Sequence, residues 1–346
     1  MCSASAGGPP DTVPLEAVRP TQRRFQVLAL DGGGGPGIFT AALLAGLEDD
    51  TSRPVADLFD LVVGTSTGGI IALGLGAGLT PREILDFYVE ERNHIFPNRL
   101  VWRSLRQLFV AKYWPGGLEA AVKRVFGTKV LGESGVPLVI PSYDLGENDV
   151  HLFKTPHHER LKRDYRVPMW AVAMATSAAP TFFPAFRLPG DHTRLIDGGV
   201  WASNPTMVGV TEAVSMFGQR PEDVRVLSLG TTVSMRTRRS RLDNGGLIRW
   251  ARGPSVVDVL LNGQSAGAFA QVKHLIGPEN AYRLDPPAPA ELAKLDACDA
   301  EALIAKASHH SRDFCPTFEQ AFGSHVPAPY VPLRGPMAKE GAHAHH

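Results

Sequence analysis

Residues 25–37 read FQVLALDGGGGPG and residues 58–68 read LFDLVVGTSTG. Each stretch is a short apolar run that meets glycine and then opens into a longer apolar segment, Ile38–Leu47 (IFTAALLAGL) after the first and Gly69–Gly78 after the second. Short apolar runs bounded by glycine read as buried strands, and the longer segments read as helices. A third helix begins at Thr80-Pro81, with Thr80 as N-cap, Pro81 at the first helical position and Glu83 three residues past the cap. Ile84, Leu85, Tyr88 and Val89 follow at helical spacing. Further strands are expected at Leu138–Ile140, His151–Lys154, Arg194–Ile196 and Val224–Leu229, and helices at Pro168–Thr176, Pro205–Met216 and Val256–Leu275. Strands alternating with helices predict a three-layer α/β fold, a mostly parallel central sheet with helices on both faces.

The chain has 346 residues, room for one large α/β domain or two small ones, and no composition break divides its middle. A single domain is expected over residues 23–325, between a leader rich in Gly, Pro and Ser (1–22) and an irregular, Pro-rich tail (326–346) that ends in histidines. The 35 basic and 35 acidic side chains cancel, which argues against a nucleic-acid polymer as partner, because phosphate neutralisation needs clustered Lys and Arg. An apolar fraction of 44% with 20% charged residues is that of a globular chain. Cys2, Cys298 and Cys315 form neither a disulfide framework nor a zinc pattern, so a reducing, cytoplasmic setting is expected. Gly69–Leu79, the longest uncharged apolar stretch, falls short of the roughly 20 residues that span a bilayer. The N-terminus lacks the features of a signal peptide, and any membrane contact is expected to be peripheral.

Three motifs carry chemistry. Asp31-Gly32-Gly33-Gly34-Gly35-Pro36-Gly37 lies directly between a strand and a helix. Glycines there leave backbone amides uncovered at a helix N-terminus, a cradle for an anion, either a phosphate or the oxyanion of an acyl-transfer intermediate. Gly32, Gly34 and Gly37 also satisfy G-x-G-x-x-G, but Asp49 and Asp50 precede the second apolar run instead of ending it, so the dinucleotide reading fails on placement. A purely structural tight turn is the remaining alternative. Gly64-Thr65-Ser66-Thr67-Gly68 occupies the strand-to-helix setting of a nucleophile elbow, with a structural turn as its alternative. None of the 12 histidines stands in a catalytic context, and the pairs His157–His158 and His309–His310 read as surface residues. Ile196-Asp197-Gly198-Gly199 offers another base: a carboxylate in a dry site accepts a serine proton directly, although D-G-G is also a common turn. The basic stretches Arg236–Arg241 (with Arg249 and Arg252 nearby) and Arg160–Arg166 read either as solvated loops or as patches that touch anionic headgroups.

Taken together and in order, with Ser66 35 residues after Asp31 and Asp197 131 residues after Ser66, the three motifs resemble the patatin-like phospholipases, whose pattern is D-G-G-G-x-R-G, G-x-S-x-G, then D-G-A/G. The similarity runs from about Phe25 to Thr231 and includes Ala175-Thr176-Ser177-Ala178-Ala179-Pro180 and Asn204-Pro205. The resemblance implies a phospholipid acyl hydrolase with Ser66 as nucleophile and Asp197 as base, a Ser–Asp dyad. It implies Gly32, Gly33, Gly34 and Gly35 as the oxyanion hole, Gly37, Gly64, Gly68, Gly198 and Gly199 in support, an acyl-serine intermediate and no metal or other cofactor. One departure is that Pro36 stands where the family has Arg or Lys. That change bears on rate and headgroup preference, and it admits a weakened enzyme.

The stretches Val139–Leu145 (VIPSYDL), Phe153–His158 (FKTPHH) and Val167–Phe186 look like the bacterial branch of that family whose members act as cyclic-dinucleotide-activated anti-phage (CBASS) effectors. That likeness implies a cyclic dinucleotide activator and membrane phospholipid as substrate, at the inner membrane, and it is compatible with a homo-oligomer. The competing class is a non-catalytic phosphate- or nucleotide-binding module built on the glycine loop. Trp102, Phe109, Tyr113 and Trp114 are candidates for an apolar lid, with core packing as their alternative.

Overall fold

Strand β1 (Phe25–Leu30) divides its side chains between two cores: Leu28 and Leu30 join one, and Phe25, Val27 and Ala29 join the other. Side chains alternate across a strand, so an apolar run buried along its whole length demands cover on both faces, and this requirement sets the three-layer architecture. The computed structural model describes residues 24–95, 111–234, 256–289, 292 and 298–336. After β1 come α1 (Gly37–Thr51), β2 (Leu61–Gly64), α2 (Thr67–Gly76), α3 (Pro81–Ile95), α4 (Gly116–Phe126), β3 (Leu138–Asp144), β4 (Asp149–Lys154) and α5 (Met169–Thr176). The chain continues through β5 (Phe186–Arg187), β6 (Arg194–Asp197), α6 (Gly199–Ala202), α7 (Thr206–Ser215), β7 (Val224–Leu229), β8 (Val233–Ser234), α8 (Val256–Ile276), β9 (Ala281–Leu284), β10 (Pro287–Ala288) and α9 (Ala300–Phe318).

The central sheet runs β5-β6-β3-β2-β1-β7-β9, with β4 on β3. The pairs β1–β2, β1–β7, β2–β3 and β7–β9 are parallel, and β3–β4, β3–β6 and β5–β6 are antiparallel. The expected α/β class therefore holds. One strand is shorter than its apolar run: Val55–Leu58 forms a 3-10 turn and β2 starts at Leu61. The cause lies at Asp60, whose carboxylate accepts the Gln26 amide (2.7 Å) while its own amide donates to the Gln26 carbonyl (2.9 Å). At the start of α3, Glu83 accepts from the Thr80 amide (2.8 Å) and the Glu83 amide donates to the Thr80 hydroxyl (3.2 Å), the reciprocal capping that T-P-x-E predicts.

From Gly37 to Leu47 helix α1 carries no charged residue and is buried almost all round, so it needs cover on the side away from the sheet. The C-terminal helix α9 provides it: Leu303, Ala307 and Phe318 are buried in the same core as Phe39, Leu43 and Leu47. Phe318 also stacks on Phe322 at 5.6 Å between ring centroids. His157 departs from the surface position expected of it. Its side chain is 1% exposed, with Nε2 at 2.9 Å from Glu212 and Nδ1 at 2.8 Å from the Thr155 hydroxyl. Glu212 on α7 also takes the Lys154 ammonium at 2.6 Å. A partner 55 positions away in the chain gives no local signal at His157. Among the described residues, no helix is long and apolar enough to cross a membrane. Cutting Phe318 to alanine should cost about 3–5 kcal/mol of unfolding free energy in urea titration, as expected for a fully buried aromatic side chain; a loss below 1 kcal/mol would show that α9 is not part of the core.

Candidate active site

Ser66 caps the junction between β2 and α2 with φ +53°, a left-handed backbone setting that costs energy for a residue with a Cβ. Several bonds hold it there. Its amide donates to Thr176 Oγ1 (2.9 Å), whose hydroxyl donates to the Pro141 carbonyl (2.6 Å). The Thr65 hydroxyl donates to the Ala202 carbonyl (2.7 Å), and the Thr65 amide donates to the Leu30 carbonyl (3.1 Å). Gly64 and Gly68 make the turn possible in another way. A Cβ on Gly64 would run into the backbone of Gly68, and one on Gly68 would run into the Leu30 carbonyl. The hydroxyl-bearing residue thus stands at the N-terminal, partially positive end of α2.

Asp197 reaches Ser66 because β3 is longer than β2. Val139 pairs with Val63 on one edge and Lys154 on the other; three residues on, Ser142 pairs with Asp197 and His151. Strand β4 occupies one edge of β3 throughout, so β6 takes the edge that β2 has vacated and delivers Asp197 to the end of β2. Its carboxylate accepts the Gly199 amide at 2.7 Å and has the Ser66 side chain beside it. Burial pushes its pKa up to about 6, against the opposing pull of the Gly199 amide and the Ser66 hydroxyl. Gly198 is required by contact: a Cβ there would meet the Pro141 backbone.

The glycine loop borders the same turn, with Gly32 packed against the Ser66 Cβ. Here the structure corrects one expectation. The Gly32 amide donates to the Ser203 carbonyl at 2.9 Å and is not free for an oxyanion. No backbone acceptor engages the amides of Gly33, Gly34 and Gly35 among the described residues. Gly34 has φ +65°, and its carbonyl accepts the Gly37 amide (2.9 Å) as the chain turns into α1. Gly37 abuts Thr67, so the loop and the elbow are packed together. Asp49, the acid considered for a ribose, instead pairs with Arg82 at 2.5 Å on the exposed surface.

Sequence reasoning missed two contributors. Thr176 was legible only as part of a motif, not as the acceptor of the Ser66 amide. Arg283, on β9, donates to Asp31 at the head of the loop (2.7 Å) and carried no motif at all. Of the lid candidates, Tyr113 is buried against Phe183 and Trp114 is 82% exposed; Trp102 and Phe109 lie outside the described residues, as do Arg236–Arg241, Arg249 and Arg252. Arg160, Lys162 and Arg163 line a shallow cleft of about 270 Å³ beside β4. An apolar cleft of about 280 Å³ is lined by Trp170, Met174, Ser177, Ala178, Phe183 and Phe186 among others. The Ala178 carbonyl there accepts the Asp197 amide at 3.0 Å. Among the described residues, no three His, Cys, Asp or Glu side chains are grouped to hold a metal ion.

The family model described as patatin-like phospholipase matches residues 28–210. A protein of Pseudomonas aeruginosa named cGAMP-activated phospholipase is 32% identical over 282 residues, covering 81% of this chain and 82% of that protein. Proteins of the same name from Escherichia coli and Vibrio cholerae are 34% identical over 221 residues and 33% over 230, and the chain spans 62% and 65% of their lengths.

The buried carboxylate predicts a stability effect. Asp197 ionises near 3.8 when unfolded and about 6 when folded, so the folded state holds the extra proton between those values and loses stability as pH rises through that window. Replacing Asp197 with Asn removes this charge. In thermal or urea unfolding at pH 8 the variant should be more stable than the wild type by about 1–3 kcal/mol, with the gap narrowing towards pH 4. Equal stability at both pH values would contradict burial of the ionised group.

Proposed function

This chain belongs to the patatin-like phospholipase family of lipid acyl hydrolases, and we propose that it cleaves membrane phospholipid esters with a Ser66–Asp197 dyad. The observation that carries the reading is the placement of Ser66, on a turn with φ +53°, beside the buried carboxylate of Asp197, whose pKa its hydroxyl lowers. Asp197 takes the proton as Ser66 Oγ attacks the acyl carbonyl, and the amides of Gly33, Gly34 and Gly35 hold the oxyanion. The proton then passes to the departing alcohol, which leaves an acyl-serine. A water molecule, deprotonated by Asp197, attacks that ester, and fatty acid departs as the proton returns to Ser66 Oγ. Burial that raises the Asp197 pKa suits it to this work, since a base tuned towards neutral pH accepts the serine proton more readily than an ordinary carboxylate. The apolar cleft beside Ala178 offers room for an acyl chain.

The name shared by three relatives supports a cyclic dinucleotide as the switch that turns this activity on, in a cytoplasmic protein that meets the inner membrane peripherally during anti-phage defence. Hydrolysis of phosphatidylethanolamine–phosphatidylglycerol vesicles, followed by fatty-acid release with and without a panel of cyclic di- and trinucleotides, tests both parts. One member of the panel should raise the rate. A flat response at a measurable rate would remove the switch and leave the hydrolase. Ser66→Ala and Asp197→Asn should each lower kcat by about a thousandfold or more. Hydrolysis by both at the wild-type rate would remove the dyad. The wild-type kcat/KM should fall with one-proton slope as pH drops through about 6, as the base becomes protonated. A profile flat to pH 4.5 would assign the base elsewhere.

A further inference from the structure

The glycine loop brings no basic side chain of its own, since Pro36 precedes α1, yet its first residue is tied to a partly buried cation from the far edge of the sheet. Arg283 lies on β9, where it pairs in register with Ser228 of β7, and Ser228 pairs in turn with Ala29 of β1. Its guanidinium crosses β7 to reach Asp31. One terminal nitrogen donates to Asp31 (2.7 Å), to Asp285 (2.6 Å) and to the Ser265 hydroxyl (3.2 Å), and the other donates to the Ser228 hydroxyl (2.7 Å). Helix α8 holds the group from a second side, with Ser265 and with Phe269, whose ring centre is 5.7 Å from the guanidinium carbon. The small Ser228 leaves the path open and joins the cluster to Thr206, whose hydroxyl donates to it at 3.0 Å.

We propose that Arg283 is a positioning residue for the glycine loop: by clamping Asp31 it fixes the direction in which the amides of Gly33, Gly34 and Gly35 point. The backbone around Asp31 shows why one side chain has such leverage. The Asp31 amide donates to Leu229 and the Gly32 amide to Ser203, so the loop is anchored at its first two residues. Beyond them, Gly33 to Gly35 have no backbone acceptor among the described residues. The Gly34 and Gly35 carbonyls are held from the other end by the Gly37 (2.9 Å) and Ile38 (3.2 Å) amides of α1, so the position of the head decides how the three amides are presented. Asp31 is buried, one of its carboxylate oxygens has no partner among the described residues, and burial carries its pKa up to about 7 despite the guanidinium. Without Arg283, Asp31 would lose the interaction that favours its ionised form, and the loop would lose its fixed anchor. Both suppliers of the clamp, α8 and β9, lie outside the segment 28–210 that defines the family. The C-terminal third is on this reading a working part of the site.

The inference rests on the acyl-hydrolase reading of Ser66, so the test includes Ser66→Ala. Steady-state hydrolysis of a p-nitrophenyl acyl ester is measured well below the thermal midpoint, under the panel condition that gives the highest wild-type rate. Arg283→Met, Arg283→Lys and Asp31→Asn are compared with wild type. Arg283→Met should lower kcat about tenfold to a hundredfold with KM within twofold, because oxyanion stabilisation fails while ester binding does not. Arg283→Lys, which keeps the charge but not the forked geometry, should recover part of that loss. Asp31→Asn leaves Arg283 paired with Asp285, decides the matter if Arg283→Met does not fold, and should lower kcat at constant KM. A kcat within twofold of wild type in Asp31→Asn, or in a folded Arg283→Met, would overturn the proposal. If Ser66→Ala keeps the wild-type rate, the underlying nucleophile assignment fails instead, and the two failures are distinguishable.

Discussion

An alcohol and a carboxylate that lie 131 positions apart meet because two neighbouring strands differ in length. Where β2 stops at Gly64, β3 continues to Asp144, and a strand edge without a partner cannot stay buried. Strand β6 satisfies that edge, and in doing so sets Asp197 against the strained turn that presents Ser66. The remaining site follows from the same corner. Thr176 reaches from the end of α5 to hold the Ser66 amide, and α6, which follows Asp197 directly, ends in the Ala202 and Ser203 carbonyls that hold Thr65 and Gly32. Loop, elbow and acid are one packed unit.

Much of this was legible in the order of residues. Phe25–Leu30 and Val224–Leu229 were read as strands with their observed limits, because apolar runs ended by glycine or a turn leave little ambiguity. Ser66 was legible since glycines on both sides are needed wherever a strand turns so abruptly into a helix. The individual amides were not. That Gly32 spends its N–H on Ser203 depends on where a segment 171 residues away comes to rest. The burial of His157 and the clamp from Arg283 were hidden for the same reason: each is defined by partners far along the chain, and no local period or spacing announces them. The strand expected from Leu58 began three residues later because a single carboxylate, Asp60, bonds back to β1.

Two buried carboxylates, Asp31 and Asp197, stand at this corner, and both are held above their ordinary pKa by loss of solvent. Charges in such places work against stability, which makes sense where they act on a reacting group or fix the group that does. Their surroundings separate their duties. Among the described residues Asp197 has neutral neighbours, the Gly199 amide and the Ser66 hydroxyl, and no cation beside it. Asp31 is locked by a guanidinium and serves to hold the backbone still.

The central claim is spatial: the oxygen of a tetrahedral adduct on Ser66 points into the glycine loop. A crystal structure of the protein after reaction with an alkyl fluorophosphonate measures this directly. The account predicts phosphorus bonded to Ser66 Oγ, with a phosphonyl oxygen at about 2.7–3.1 Å from at least two of the amides of Gly33, Gly34 and Gly35. An adduct at another residue, or a phosphonyl oxygen turned away from all three amides, would contradict it.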